Sequence, residues 1–188
     1  MLAALLLAAS PALPRKDVLP PFDVELGFGL GGCGGCAATD PDAAFEIGVG
    51  VRPWRALQLF ATGLTVQGDD NWSTWSMLEV RLWPLVGIDF PVQPYAAVGA
   101  AYGQFASTFE GGGIRTRWTG FAATGRLGAS VSVSDLVSIR LSFGRQFGFG
   151  DDRCTASLAY YGTADCPEDV HGPPRAWSVL VSVAFSFG

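Results

Sequence analysis

Charged residues are scarce in this sequence. Asp, Glu, Lys and Arg make up 15% of the 188 residues, against roughly 25% in an average soluble domain. Lysine occurs once, at Lys16, and the formal net charge is -5. Nucleic-acid-binding domains need a basic patch, so this composition excludes a nucleic-acid partner. The low charge also argues against a disordered chain and against an ordinary water-exposed surface.

Histidine occurs only once, and long apolar runs are missing. His171 is the only histidine, and no run of about 18 apolar residues follows the N-terminus, so no transmembrane helix is predicted. Phosphate-binding loops, histidine-containing metal motifs and nucleotide-binding fingerprints do not occur. The sequence therefore predicts neither a cofactor nor a bound metal ion.

The first residues differ in composition from the rest. Residues 1–12 form an apolar run followed by small residues, which is typical of a signal peptide cut near Ala9 or Ala12. A positively charged start is missing, so the signal is atypical or truncated; a short buried helix or a frayed tail is the alternative. Residues 13–21 hold three prolines and are predicted to be a linker. Residues 22–188 are predicted to form one domain.

From Phe22 onward, apolar residues recur with a period of two, which is typical of β-strands. In the third strand Leu57 and Leu59 differ in parity from Leu64 and Val66, so we expect a β-bulge near residues 62–63. The eight predicted strands cover residues 22–30, 45–52, 57–67, 78–82, 92–103, 121–131, 137–149 and 177–187.

The connections between these strands alternate in length. The short ones are residues 53–56, 84–91 and 134–136, and the long ones are 32–43, 68–73, 104–116 and 150–174. An even strand number with short turns at one rim and long loops at the other predicts an up-and-down barrel. The predicted fold is all-β, an eight-stranded antiparallel up-and-down transmembrane β-barrel.

The two faces of the strands indicate which side meets lipid. One face carries Phe, Leu, Ile, Val and Trp, and the other is mostly Gly, Ser, Ala and Thr, which suit a narrow interior. A soluble barrel, the alternative, would carry long charged side chains outside. Aromatic residues bunch at strand ends, as in membrane-interface belts. Trp54 and Trp83 are assigned to the short-turn rim, and Trp118 and Trp177 to the long-loop rim.

Three phrases resemble the small outer-membrane β-barrels of diderm bacteria, the class of outer-membrane proteins A and W. They are residues 92–103, residues 126–141 and the C-terminal strand ending at Phe187. The resemblance covers residues 22–188. It implies a location in the cell outer membrane, contact with the lipid bilayer and lipopolysaccharide, and recognition of the last strand by the barrel-assembly machinery. Gly188 follows the aromatic residue on which the family usually ends.

Eight charged residues fall on the inward parity, and they balance. Two interpretations of these charges stay open: an ion-pair network that fills the barrel, or a gate lined by Arg and Glu. Arg145 falls on the outward parity, where it either reaches lipid headgroups or is turned inward by a bulge. The candidate lumen network is Glu25, Glu46, Glu79, Arg81, Arg126 and Arg140, together with Asp23 and Arg52.

Four cysteines lie in two predicted loops, Cys33 and Cys36 in the first and Cys154 and Cys166 in the last. An exported chain meets an oxidising compartment, so disulfides are expected. Either each loop is closed on itself or the two loops are cross-linked. The more specific alternative is that the cysteines form a zinc site or a redox motif.

The predicted function is that of a non-catalytic structural or surface-interaction protein. The long loops, above all residues 150–174, are the predicted interaction surface for an unknown extracellular or small-molecule ligand. A narrow conduit for small or apolar solutes is the second hypothesis. A lipid-modifying enzyme using His171 is the third, although no nucleophile, base and orienting group are found at matched depth.

Overall fold

The structure is a computed structural model. It describes residues 22–34, 41–54, 56–69, 71–85, 91–108, 114–149, 155–158, 162–165 and 175–187. The predicted signal peptide and linker, residues 1–21, lie outside the described residues. No helix among the described residues is long and apolar enough to span a membrane.

Ten strands form the described fold. Eight are long, and two short ones lie between the seventh and the last. Their bounds are β1 Phe22–Gly34, β2 Asp42–Trp54, β3 Leu57–Gln67, β4 Asn71–Leu82, β5 Val92–Thr108, β6 Ile114–Ser132, β7 Val137–Phe149, β8 Thr155–Leu158, β9 Gly162–Asp165 and β10 Arg175–Phe187.

The eight long strands close into a barrel. Each pairs antiparallel with its neighbour along the chain, β10 pairs with both β7 and β1, and the β5–β6 pair completes the ring. Closure gives every wall strand two hydrogen-bonding neighbours, which a wall in hydrocarbon requires. The predicted eight-stranded antiparallel barrel is confirmed.

Several predicted boundaries change. The β4, β5 and β6 strands are longer than predicted, so residues 68–73 form no long loop and the β5–β6 connection shrinks to residues 109–113. The predicted loop of residues 150–174 contains the β8–β9 hairpin, and β8 continues the sheet beyond β7 by pairing with Ile114–Arg117 of β6. Short strands of four residues carry too little periodicity to be recognised in the sequence.

The predicted bulge at residues 62–63 is wrong. The β3 strand pairs without interruption from Leu59 to Gln67, and the register shifts instead in β2, between Val51 and Trp54. Leu64 and Val66 therefore point into the barrel, where they are buried. The parity of apolar residues misled the prediction because the interior itself is apolar at this height.

The wall has an apolar outer face and a mixed inner face. Phe28, Leu78 and Leu127 are more than 60% exposed on the outside, whereas charged side chains on the same strands are buried inside. A soluble barrel has the opposite arrangement. This polarity fits a barrel whose outer wall lies in hydrocarbon and whose interior is a packed core.

Candidate functional site

The barrel interior is built in layers, and a single strand displays them all. The inward row of β4 includes Trp75 and Met77 near the long-loop end, continues with Glu79 and Arg81, and ends with Trp83 just after the strand. All five side chains are buried. An apolar layer thus occupies the long-loop half of the interior and an ionic layer the short-turn half.

The ionic layer is one chain of alternating charges. Four guanidinium groups and four carboxylates follow one another across the lumen, each within ion-pair distance of the next. Alternation brings the sum of charge to zero and gives every member an opposite neighbour. In order, the chain is Arg52, Asp23, Arg140, Glu25, Arg81, Glu79, Arg126 and Glu46.

Glu25 is the centre of this chain. Its Oε2 accepts hydrogen bonds from Arg81 Nη1 at 2.6 Å and from Arg140 Nη1 at 2.7 Å. Asp23 Oδ2 lies 2.9 Å from Arg52 Nη2 and 3.0 Å from Arg140 Nη2. Each of these two carboxylates thus bridges two arginines, a charge-assisted arrangement that joins strands on different sides of the lumen.

The other half of the chain is held by a forked pair. Both terminal nitrogens of Arg126 donate to the two carboxylate oxygens of Glu46, with Nη1 2.7 Å from Oε1. Arg126 Nε lies 3.3 Å from Glu79 Oε1, and Arg81 Nε lies 3.3 Å from Glu79 Oε2. The planar guanidinium matches a carboxylate at two points, which gives this contact geometric specificity.

Aromatic rings cover the ionic layer. The guanidinium of Arg81 lies 3.6 Å from the centre of the Phe60 ring, and those of Arg52 and Arg140 lie 5.0 and 5.4 Å from Trp83. Trp83 packs against Tyr95 at 4.7 Å between ring centroids. Cation–π contacts of this kind offset part of the cost of removing arginines from water.

The apolar layer fills the rest of the lumen. Trp75 and Trp118 pack with 5.7 Å between ring centroids, and Leu64, Met77 and Phe105 surround them. Glycines leave room for the rings: a Cβ on Gly103 would collide with Trp75, and one on Gly128 would collide with Tyr95. The small inward residues of the sequence are thus spaces that opposite aromatic side chains occupy.

Two of the four predicted interface tryptophans require correction. Trp83 and Trp118 are 3% and 4% exposed and lie inside the barrel, in the ionic and apolar layers respectively. Trp83 shares the parity of the inward Glu79 and Arg81, and Trp118 that of Arg126, so alternation would have identified both. Both tryptophans were assigned to the membrane interface because they lie near strand ends, and that criterion was misleading.

The other two interface tryptophans and Arg145 lie on the outer wall. Trp54 is 61% exposed beyond the register shift of β2, and Trp177 is half-buried opposite Gly32. Arg145 stays in continuous register with β6 and β10 and is exposed, so no bulge turns it inward.

Cys36, Cys154, Cys166 and His171 lie outside the described residues, as does the side chain of Cys33. Among the residues that are described, no three metal-binding side chains cluster.

Several known proteins share this fold. The N-terminal β-barrel domain of Pseudomonas aeruginosa OprF matches with a TM-score of 0.59 at 12% identity, covering 89% of this chain and 98% of that domain. Neisserial surface protein A matches with a TM-score of 0.63 at 10% identity, over 89% and 96% of the two chains. The Pseudomonas aeruginosa outer-membrane protein OprG matches with a TM-score of 0.57 at 13% identity, over 89% and 96%.

The chain has the fold of the small outer-membrane β-barrels. The predicted resemblance is confirmed at the level of fold. No protein-family model and no curated protein matches the sequence. The outer-membrane location expected from the sequence agrees with this fold and with the apolar outer wall.

Proposed function

We propose that this protein is a non-catalytic, integral outer-membrane barrel. Its filled interior makes it a rigid anchor, and the long-loop end presents an interaction surface. The ionic layer carries the proposal: the side chains of Glu25, Arg81, Glu79, Arg126 and Glu46 are all 0% exposed. A hydrated conduit would leave charged groups at this level in contact with water, because water lowers the cost of their charge.

The apolar layer supports the same function. Trp75, Leu64 and Leu180 are fully buried on β4, β3 and β10, so the long-loop half of the interior is also occupied by side chains. Eight strands enclose an interior just wide enough for side chains. Ions entering past the apolar layer would then meet a layer in which every charge already has an opposite neighbour.

The long-loop end supports the interaction role. Beyond the last pair of β6 with β7, Phe121 with Phe149, the β6 strand continues and pairs with β8. The β8–β9 hairpin therefore extends the sheet beyond the β7 edge of the barrel. Binding residues commonly lie on such extensions, held by a rigid scaffold.

The experiment is a conductance measurement on the refolded barrel in a planar bilayer. We expect the unaltered protein to show no steady single-channel steps, because its interior is filled. The Arg126→Ala variant removes the forked partner of Glu46, and the outward Leu127→Ala variant is the matched control. Heat-modifiable migration on a gel verifies that each variant is folded. Steady steps in the unaltered, folded protein would support the conduit and overturn the closed-anchor function.

A further inference from the structure

Among the outer-wall side chains that the structure describes, the charged ones are three arginines. They are Arg117 on β6, Arg145 on β7 and Arg175 on β10. Acidic side chains on the described wall strands lie on the inward parity, so the arginines have no outward counter-charge there. The described side chains of the outer wall therefore carry positive charge alone, on strands that are neighbours in the barrel.

Arg145 and Arg175 form a close pair, called here the arginine pair. Arg145 lies opposite Trp177 and Arg175 lies opposite Phe147 in the antiparallel β7–β10 register. The two arginines are thus diagonal neighbours on one face, about 7–8 Å apart at this geometry. Both are exposed, and neither makes an ion pair with a described carboxylate. Two uncompensated like charges at this distance favour an anion between them.

The surroundings give the pair one rigid side and one open side. The Arg145 guanidinium lies 5.5 Å from the centre of the Phe147 ring. On the β6 side, away from Arg175, Arg145 pairs with Gly125, and a Cβ added there would meet nothing within 4 Å. Space for a ligand therefore lies beside a guanidinium whose position is partly fixed by an aromatic ring.

The height of the pair matches a lipid headgroup. Below it, the outward rows are apolar, with Leu141 and Phe143 on β7 and Val179 and Val181 on β10. Arg145 stands about 20 Å above Val137 along the membrane normal, for a strand tilted by about 40°. An apolar band about 25 Å tall would therefore end near Arg145.

We propose that the arginine pair binds the phosphate groups of a phosphorylated lipid in the leaflet at the long-loop end. A guanidinium binds phosphate at two points, and the apolar rows below would contact the acyl chains of the same molecule. Because apolar side chains continue directly below the two arginines, a lipid with both phosphate groups and acyl chains fits this surface better than free phosphate does. The inference rests on the proposed membrane location, but not on whether the interior conducts.

The test is lipid retention by the refolded barrel, measured by native mass spectrometry. The probes are diphosphorylated lipid A and its dephosphorylated form. We expect at least tenfold preference for the phosphorylated form, lost in the Arg145→Gln, Arg175→Gln double variant and partly kept in Arg145→Lys. Arg117→Gln is the matched control, since it removes the same charge where Arg117 donates to Gln104 at 2.7 Å. This control should keep the preference.

Three results would overturn the proposal. The first is equal retention of the two lipids by the unaltered protein, and the second is an equal loss in the Arg117→Gln control. The third is displacement of the lipid by millimolar inorganic phosphate, which would indicate a site for the free anion. Heat-modifiable migration verifies folding of each variant, and failure of the membrane location would appear separately, as a barrel that does not insert into vesicles.

Discussion

The two halves of the interior are held by different forces. In the ionic layer, contacts such as Glu25 with Arg81 join strands across the lumen at defined atoms. In the apolar layer, Trp75 and Trp118 contact neighbours through their volume. Directional pairs specify which strands face each other, whereas apolar packing fills space and tolerates exchange of similar shapes. We expect the ionic half to be intolerant of single changes and the apolar half to respond to lost volume.

The largest effect is expected at Glu25. Glu25→Ala leaves Arg81 and Arg140 with one carboxylate each in a buried site, so we expect a loss of about 3–5 kcal/mol in the free energy of unfolding. The measurement is urea unfolding in lipid vesicles. The outward neighbour Leu26→Met is the control, and its loss should stay below about 1.5 kcal/mol. Equal losses in the two variants would contradict a special role for the ionic layer.

A somewhat smaller loss is expected at Trp75. Trp75→Ala opens a cavity in the apolar layer, which we expect to cost about 3 kcal/mol, since Trp118 and Phe105 can move partly into the space. Trp72→Ala, on the outer face of the same strand, should lose less than half as much because lipid fills its place. The same unfolding measurement checks both. A larger loss for Trp72→Ala would mean that the apolar layer is loosely packed.

A double-mutant cycle measures the forked pair. Arg126→Ala leaves Glu46 without its ion-pair partner, and Glu46→Ala leaves Arg126 with Glu79 alone, whereas the double variant removes both members of the forked pair. We expect the double variant to be more stable than the sum of single losses predicts, by about 1–3 kcal/mol. Strictly additive losses would show that Glu46 and Arg126 do not act as a pair. Leu127→Ala combined with Glu46→Ala is the control cycle and should be additive.

Alternation along the strands predicted most of this architecture. It identified the closed barrel and put Glu79, Arg81 and Arg126 on the inward parity, because a period of two fixes the face of every residue in an uninterrupted strand. It failed where hydrophobicity was used to choose the face. Leu64 and Trp75 are as apolar as lipid-facing residues, so their inward position follows only from register.

Partners across the lumen could not be predicted from the sequence. Glu46 and Arg126 stand 80 residues apart, and their pairing depends on the curvature and stagger of the closed sheet. The register shift after Val51 is similarly invisible in the sequence, although it carries Trp54 onto the outer wall. Local alternation determines the face of a residue, whereas its partner depends on the whole barrel.

The smallest effect on stability, and the clearest test of register, concerns two tryptophans at the short-turn end. Trp54 is on the outer wall and Trp83 is inside, in contact with Arg52 of the ionic layer. In vesicles of lipids brominated near the headgroup, fluorescence quenching should fall in Trp54→Phe, because bromine quenches by contact. Trp83→Phe should leave the quenched component unchanged, since Trp83 packs against Tyr95 inside the barrel and the wall separates it from lipid. If Trp83→Phe reduced quenching instead, the inward parity of β4 would be wrong, and with it the orientation of Glu79 and Arg81 on which the ionic layer depends.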